Sequence, residues 1–364
     1  MKVLLVVGAR PNFMKIAPVY RASMKHPGLD CRIVHTGQHY DQELSQAFFD
    51  DLEIPLPAYF LNAGSSSHAI QTAKIMTAFE EVCMEEQPDW VVVVGDVNST
   101  LACSIVAKKL RIRVAHIEAG LRSFDMTMPE EINRMVTDSI ADCFFVTEES
   151  GEKNLLREGK PARCIHVVGN VMIDNLFFQL KKLKGEDLVH FPTSSLKEQC
   201  RPYMFLTLHR PSNVDDRKTF EGIAKALNEI AMERPILFPV HPRTKKMMAQ
   251  FGIRLSETIH MLPSLGFRES LFLWKDAEVV LTDSGGLQEE TTALGIPCVT
   301  IRENTERPIT LTMGSNVLAG IRPEAILDAY HAVRKMKKAS MVPPYWDGNA
   351  AERIWEILIS KIVP

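Results

Sequence analysis

Short apolar runs alternate along the chain with longer stretches in which apolar residues recur every three or four positions. The short runs are rich in valine and isoleucine, as is typical of parallel strands buried on both faces. The longer stretches predict amphipathic helices. Together they predict βαβ units, and hence an α/β fold built from doubly wound parallel sheets. The predicted strands are 2–7, 31–36, 90–95, 114–118, 143–147, 165–169, 204–208, 236–240, 259–262, 278–282 and 297–301, and the main helices are 67–86, 98–110, 217–232, 244–251, 286–294 and 322–336.

The alternation breaks once, in a polar segment at residues 178–202 that carries proline and serine. The chain has 364 residues, which is more than the roughly 250–300 that one hydrophobic core usually supports. We therefore predict two Rossmann-like domains joined at this segment, covering residues 1–177 and 178–345. The remaining residues, 346–364, are expected to form a C-terminal helix that could pack back on the N-terminal domain.

Charge and cysteine usage narrow the classes of partner. The net charge is −3 and the isoelectric point is about 6.4, so no overall basic field favours nucleic acid or an anionic membrane. The seven cysteines are scattered and form no C-x-x-C pair, which argues against disulfides and against a zinc site. The first 15 residues lack the features of a signal peptide. We expect a cytoplasmic protein with no membrane or nucleic-acid partner and no bound metal.

Polar or ionisable residues follow nearly every predicted strand. In open α/β sheets, ligands bind beyond the carboxyl ends of the strands. A single polar strand end has an easy structural explanation, whereas a set of seven indicates a ligand site. These residues include Arg10, Asp96, Glu118, His209, Arg210, His241, Asp283, Ser284 and Arg302.

Two of these strand ends have the character of anion sites. Gly8 and Pro11 suit a tight turn into a helix, and Arg10 with Lys15 would hold a negative charge there. In the second half, the glycines of Ser284-Gly285-Gly286 would let a phosphate approach a helix N-terminus. The simpler explanations are a solvated arginine in the first case and an ordinary strand–helix turn in the second. The first turn does not match G-x-G-x-x-G, so a nicotinamide dinucleotide is not indicated.

The acids and histidines at strand ends are candidates for proton transfer. We favour function for Asp96 and Glu118, because an idle carboxylate next to apolar strands is costly. Glu130 and Glu131 follow Pro129 and could simply be acids favoured by the helix dipole. A lone histidine is more often structural, but His209 and His241 each precede or neighbour an arginine, which favours an anionic pocket.

Taken in order, these segments resemble the non-hydrolysing UDP-N-acetylglucosamine 2-epimerases of bacteria and archaea. The resemblance is colinear over nearly the whole chain, and ten segments in order are far more specific than any one. The segments are GARPNFMKIAP, TGQHYDQEL, GDVNST, HIEAGLRS, MPEEINR, GN followed by ID, LHRPSNVD, PVHPRT, LTDSGGLQEE and NTERP.

The resemblance implies a fold of the GT-B glycosyltransferase type with its active site in the cleft between the domains. It implies interconversion of UDP-N-acetylglucosamine and UDP-N-acetylmannosamine without NAD or another cofactor, by anti elimination of UDP and its re-addition to a 2-acetamidoglucal. A homodimer and a role in cell-surface polysaccharide synthesis are also implied. The catalytic residues it implies are Asp96, Glu118, Glu130 and His209. The substrate-binding residues are Arg10, Lys15, Arg134, Asn170, Arg210, His241, Ser284, Gly285, Gly286, Glu290 and Arg307.

The chain departs from the family at one place. Some bacterial members bind a second substrate molecule as an activator, near the segment that matches TGQHYDQE and an arginine in the following helix. Gln38 and His39 persist in this chain, but Tyr40-Asp41 differ from that pattern and Lys74 is the basic residue of the helix. Lysine lacks the bidentate fork of arginine, so activation by substrate is in doubt.

Four other functions remain open at this point. A GT-B glycosyltransferase would share the fold and the UDP site, but would need an acceptor site. A 2-epimerase of a modified sugar, such as a diacetamido uronic acid derivative, would differ only in details of the pocket. A hydrolysing epimerase would release free N-acetylmannosamine. A UDP-sugar sensor would have no need for the acids Asp96, Glu118 and Glu130.

Overall fold

The computed structural model describes residues 1–37, 46–185, 191–335 and 342–361. The chain divides into two compact units, each with its own parallel sheet. Unit 1 comprises Met1–Asn175 and Pro344–Pro364, and unit 2 comprises Leu176–Pro343. The α/β class with two doubly wound parallel sheets is thereby confirmed.

Within its described residues, unit 1 contains a seven-stranded parallel sheet in the order β3-β2-β1-β4-β5-β6-β7. The order reverses between β1 and β4, so this pair forms the topological switch point, where open α/β sheets bind ligands. In chain order the elements are β1 (Lys2–Val7), α1 (Arg10–Ser23), β2 (Asp30–His35), α2 (Gln46–Leu52), β3 (Tyr59–Phe60), α3 (His68–Glu86), β4 (Trp90–Val94), α4 (Asn98–Lys109), β5 (Arg113–Ile117), α5 (Pro129–Ile140), β6 (Cys143–Val146), α6 (Glu149–Arg157), a 3₁₀ helix (Ala162–Cys164), β7 (Ile165–Val167), α7 (Val171–Gly185), which continues into unit 2, and α16 (Ala350–Ser360).

The central strands of unit 1 are buried along their whole length because helices cover both faces of the sheet. Every residue of β4 is buried, and β4 pairs in parallel register with β5 from Trp90 opposite Arg113 to Val94 opposite Ile117. Apolar residues of α3 and α4, including Phe79 and Val106, pack on one face. This packing explains why the sequence shows continuous apolar runs here.

Unit 2 contains, in the part that the structure describes, a six-stranded parallel sheet in the order β10-β9-β8-β11-β12-β13, with its switch point between β8 and β11. Its core joins the sheet to α10 and α15, with Phe220 and Tyr330 among the buried residues. The elements are α8 (Ser194–Gln199), β8 (Met204–Thr207), α9 (Pro211–Val214), α10 (Arg217–Ile230), β9 (Ile236–Pro239), α11 (Pro242–Phe251), β10 (Ile259–Leu262), α12 (Phe267–Trp274), β11 (Val280–Thr282), α13 (Gly285–Leu294), β12 (Cys298–Thr300), α14 (Ile309–Thr312), β13 (Asn316–Leu318) and α15 (Pro323–Lys335).

The segment at 178–202 differs from the polar break that the sequence suggested. Helix α7 continues as far as Gly185, and the short helix α8 spans Ser194–Gln199. Helix α7 persists because its first turns are apolar and buried, with Ile173 and Leu176 fully covered. The boundary of unit 1 falls inside this helix, after Asn175.

The C-terminal helix α16 packs against α1 within unit 1. The indole of Trp355 is buried and donates to the carbonyl of Val19 at 2.6 Å. The carboxylate of Asp174 accepts from the backbone N–H groups of Ala350 and Ala351, which begin α16, at 3.1 and 2.7 Å. Among the described residues, the structure contains no helix with the length and apolar character needed to cross a bilayer.

Candidate active site

The turn from β1 into α1 lies at the switch point of unit 1. Gly8 is required there by packing, because a Cβ atom at this position would lie only 2.4 Å from the hydroxyl oxygen of Ser99 at the start of α4. Arg10 is the first residue of α1, and its guanidinium lies 5.2 Å from the ring centroid of Phe48. The turn thus presents a cation where two helices begin close together.

Lys15 and Glu118 form an ion pair across this end of unit 1. The ammonium of Lys15 lies 2.6 Å from Oε2 of Glu118, although the two residues are 103 positions apart in the chain. Glu118 directly follows β5, is 4% exposed and has a left-handed backbone, with φ of +69°. Such a backbone is uncommon in a residue other than glycine, and residues held in it cluster at functional sites.

Asp96 follows β4 and is held by Arg134 of α5. The guanidinium of Arg134 contacts Asp96 at 2.5 Å and Glu131 at 2.8 Å. Glu131 is buried and accepts from the backbone N–H groups of Ser123 and Phe124. Burial by itself would raise the pKa of Glu131, but the Ser123 N–H and the Arg134 guanidinium hold that pKa below its usual range. Glu131 is therefore an ionised anchor for the loop before α5, and the Asp96 carboxylate is the more accessible one.

Two further predicted residues of unit 1 have simpler surroundings. Glu130 is half-buried in the first turn of α5. Asn170 is 1% exposed, and its side-chain oxygen accepts from the N–H of Met172 at the start of α7. The roles of Glu130 in catalysis and of Asn170 in substrate binding stay predictions.

The switch point of unit 2 is organised by the buried carboxylate of Asp283. One oxygen accepts from the backbone N–H groups of His209 and Arg210, at 2.8 and 2.7 Å, and the amide of Asn213 lies at 3.3 Å. The other oxygen lies 3.0 Å from Nδ1 of His209. Asp283 has no exposed surface, whereas the His209 side chain is 38% exposed. The buried carboxylate thus lies directly behind a partly exposed imidazole at the carboxyl edge of the sheet.

His241 follows β9 beside His209, with 5.6 Å between the ring centroids. Its Nδ1 accepts from the backbone N–H of Arg243 and so caps α11. The two imidazoles and the nearby guanidinium of Arg210 gather donors that suit an anion at the carboxyl edge of this sheet.

The Ser284-Gly285-Gly286 segment leads from β11 into α13. Ser284 donates its backbone N–H to the hydroxyl of Thr282, and α13 begins at Gly285. A Cβ atom on Gly285 would lie 3.9 Å from Nη2 of Arg210. A helix N-terminus beside a guanidinium is a favourable place for phosphate.

One turn further along α13, two acids lie side by side with different surroundings. Glu289 forms a 2.6 Å ion pair with Arg307. Burial, and then the neighbouring charge of Glu289, raise the pKa of Glu290 to about 8. Glu290 therefore keeps its proton near neutral pH and can both donate and accept hydrogen bonds, as a partner for hydroxyl groups should.

Glu290 gives a testable dependence of stability on pH. The unfolded chain releases this proton near a pKa of about 4.3, whereas the folded protein keeps it up to about 8. The free energy of unfolding should therefore fall by up to about 1.4 kcal/mol per pH unit as pH rises through this window. Urea unfolding of Glu290→Gln between pH 5 and 8 should lack this decline, while Glu303→Gln should keep it. An equal slope in wild type and Glu290→Gln would contradict the assignment.

The structure groups the predicted residues by unit. Arg10, Lys15, Asp96, Glu118 and Arg134 gather at the switch point of unit 1. His209, Arg210 and His241 gather at that of unit 2, beside the start of α13. Sequence reasoning named Asp283 as a strand end but gave it no role. The predicted departure from the activator pattern involves residues 38–41, which lie outside the described residues.

Two Rossmann-like units, each with cations at the switch point of its sheet, are typical of α/β proteins that bind phosphate-bearing ligands. The family model described as UDP-N-acetylglucosamine 2-epimerase matches residues 21–359. The chain belongs to this family. Both the resemblance stated from the sequence and the prediction of an isomerase are thereby confirmed.

Named relatives match nearly the whole chain. The UDP-N-acetylglucosamine 2-epimerase of Methanocaldococcus jannaschii is 42% identical over 98% of this chain and 99% of its own length. A crystal structure of the M. jannaschii enzyme in complex with UDP-GlcNAc and UDP has a TM-score of 0.88, with 99% of this chain and 100% of that chain covered. The UDP-2,3-diacetamido-2,3-dideoxy-D-glucuronate 2-epimerase of Pseudomonas aeruginosa is 38% identical over 98% of this chain and 99% of its own length.

Proposed function

We propose that this chain interconverts UDP-N-acetylglucosamine and UDP-N-acetylmannosamine by elimination and re-addition of UDP. The observation that carries the proposal is the pair of acids Asp96 and Glu118 at the switch point of unit 1, each bonded to a cation. The M. jannaschii relative, whose name states this substrate, supports the choice of sugar.

The reaction needs acids on both faces of the sugar ring. A base removes the proton from carbon 2, the C1–C2 double bond of the glucal forms, and the C1–O bond breaks so that UDP leaves with the electron pair. Re-addition of UDP to C1 and protonation of C2 from the opposite face invert that carbon. Asp96, Glu118 and Glu130 are the groups proposed to exchange these protons.

The departing UDP requires positive charge and backbone donors. Arg210 of unit 2 is proposed to supply this charge, beside the imidazole donor of His209. Arg10 and Lys15 of unit 1 stay predicted anion-binding residues. The N-terminus of α13 supplies backbone N–H groups.

The remaining contacts are proposed for the nucleotide. They are made by the hydroxyl of Ser284, by His241 and Arg307, and by the protonated Glu290, which would bond the ribose hydroxyls. Arg134 and Asn170 stay predicted substrate-binding residues with no part of the substrate assigned to them.

Incubation with UDP-N-acetylglucosamine in heavy water, followed by NMR, tests the proposal. We expect UDP-N-acetylmannosamine carrying deuterium at C2, and slower entry of deuterium at C2 of the substrate pool. Release of free N-acetylmannosamine would indicate hydrolysis instead. The absence of both epimer and exchange would contradict the proposal and favour a glycosyltransferase or a sensor.

A second candidate function is 2-epimerisation of a modified UDP-sugar. It is favoured by the P. aeruginosa relative, whose name states a diacetamido uronic acid substrate. The ratio of kcat/KM for that substrate to kcat/KM for UDP-N-acetylglucosamine decides between them, and we expect UDP-N-acetylglucosamine to be preferred.

The compartment, the oligomeric state and the use of the product are proposals as well. We propose a cytoplasmic homodimer that supplies N-acetylmannosamine units for cell-surface polysaccharide. The seven cysteines, all unpaired in the structure, suit a reducing compartment. Light scattering in solution tests the dimer, which would give about twice the 41.0 kDa of one chain.

A further inference from the structure

A buried histidine connects the two strand ends that carry Asp96 and Glu118. His116 is on β5 and has no exposed surface. Its Nε2 lies 2.9 Å from the carbonyl oxygen of Gly95, the residue before Asp96. Its Nδ1 lies 2.7 Å from Oδ1 of Asp138 on α5. The ring therefore links the ends of β4 and β5 to the helix that also bonds Asp96.

The hydrogen-bond partners define how the His116 ring is protonated. A carbonyl oxygen only accepts, so Nε2 must carry a hydrogen. Asp138 accepts at its other oxygen from the N–H of Gly120, at 3.0 Å, and contacts Arg122 at 2.8 Å. These partners favour its carboxylate form. An ionised carboxylate also only accepts, so the contact with Nδ1 requires a hydrogen there as well.

The charge of Asp138 is consistent with this assignment. Its complete burial would raise its pKa, but the His116 ring, and after it the Arg122 guanidinium, hold the pKa of Asp138 below its usual range. Arg122 in turn pairs with Glu158, whose side chain is 34% exposed. Asp138, Arg122 and Glu158 thus form a series of alternating charges that reaches the surface. Each charge offsets the desolvation penalty of burying its neighbour.

The same network holds the backbone on both sides of Glu118. Gly120 donates to Asp138, and Ala119 donates to the carbonyl of Phe145 at 3.1 Å. Gly120 admits no side chain, because a Cβ atom there would lie 2.3 Å from the carbonyl oxygen of Gly151. Glu118 is consequently fixed in its left-handed conformation by the residues that precede and follow it.

We propose that His116 and Asp138 are positioning residues for the epimerase reaction, in that they set the separation of the Asp96 and Glu118 carboxylates. The inference rests on the proposed function, in which these two acids exchange protons with the sugar. Neither His116 nor Asp138 reaches the surface, so both act through the groups they hold. A displacement of about 1 Å at a reacting group can lower a rate about 100-fold.

Two substitutions of His116 separate its two bonds. Asparagine places an amide near the position of Nδ1 and so keeps the contact with Asp138 but loses the bond to Gly95. Glutamine reaches the position of Nε2 and so keeps the bond to Gly95. We expect His116→Asn to lower kcat about 10- to 100-fold with KM and UDP affinity nearly unchanged, and His116→Gln to recover most of the loss.

Asp142→Asn is the matched control because Asp142 stabilises the opposite end of the same strand. Its carboxylate accepts from the N–H of Val114, at 2.8 Å, and from the ammonium of Lys108. We expect this variant to melt at a lower temperature with wild-type kcat. If His116→Asn also melts earlier but retains wild-type kcat, the positioning role is wrong and His116 is only structural.

NMR of the ¹⁵N-histidine-labelled wild-type enzyme tests the protonation without any variant having to be active. The signal that disappears in His116→Gln should show both ring nitrogens protonated at pH 7.5, and a neutral ring would overturn the inference. Deuterium exchange at C2 is measured on wild type in parallel. If the wild-type enzyme exchanges deuterium and His116→Asn keeps wild-type kcat, only the positioning role is wrong. If the wild-type enzyme shows no exchange, the proposed function is wrong, and the positioning role with it.

Discussion

Replacing Glu118 by glutamine should lower kcat for epimerisation by about 10²- to 10⁴-fold, the usual contribution of a general acid or base. Glutamine has nearly the same size and can still contact Lys15, 2.6 Å from the native carboxylate. It cannot take up or release a proton at the sugar. The loss should therefore appear in kcat, while UDP affinity, measured by calorimetry, stays within about threefold of wild type.

Asp96→Asn should behave in the same way, because the amide can keep one contact with Arg134 but cannot exchange a proton. Asp142→Asn provides the control for loss of a carboxylate elsewhere in unit 1. The proposed role of these acids would be refuted if either variant lost UDP affinity and thermal stability in parallel with turnover, since that pattern indicates a folding defect.

Replacing Asp283 by alanine should have the largest effect on stability. This carboxylate has no exposed surface and accepts from two backbone N–H groups. Breaking a buried, hydrogen-bonded charge network of this kind costs about 3–5 kcal/mol. It should also weaken UDP binding, because His209 and Arg210 lose the group that holds their backbone.

Hydrogen–deuterium exchange can localise this effect. Amides of β8 and β11 should lose protection in Asp283→Ala, while those of β4 in unit 1 keep theirs. Asp215→Ala, which breaks an exposed ion pair with Arg243, should leave protection nearly unchanged. Equal exchange of β8 and β11 in wild type and Asp283→Ala would show that Asp283 does not organise this edge.

The two edges of each sheet differ in a way that bears on function. Near the amino ends of the strands of unit 1, ion pairs such as Lys2 with Glu86 join structural elements to one another. In unit 2, Arg334 joins Glu233 and Glu278 in the same manner. At the carboxyl edge of unit 1, the ion pairs of Lys15 with Glu118 and of Arg134 with Asp96 also join elements, but they lie at a switch point, where open α/β sheets bind ligands.

The sequence by itself determined the class of fold and the edge on which the chemistry lies. Continuous apolar runs alternating with amphipathic stretches permit little except parallel strands joined by helices. Because parallel strands all end on the same side, residues such as Asp96, Glu118 and His209 had to emerge at the carboxyl edges of their sheets. Short elements such as β3 and β13 escaped prediction, because two or three residues carry no periodicity.

Only the tertiary structure decided which side chains are partners. Lys15 forms an ion pair with Glu118, which lies 103 positions away in the chain, and Arg134 forms one with Asp96, which lies 38 positions away. Such pairs depend on how α1 and α5 pack on the sheet, which no local pattern encodes. The contacts of His116 and Asp138 could not be predicted for the same reason. His116 lies within an apolar strand, and its partner lies on a helix that is distant in the sequence. Local sequence sets the periodicity of each element, whereas distances between elements follow from the packing of the whole unit.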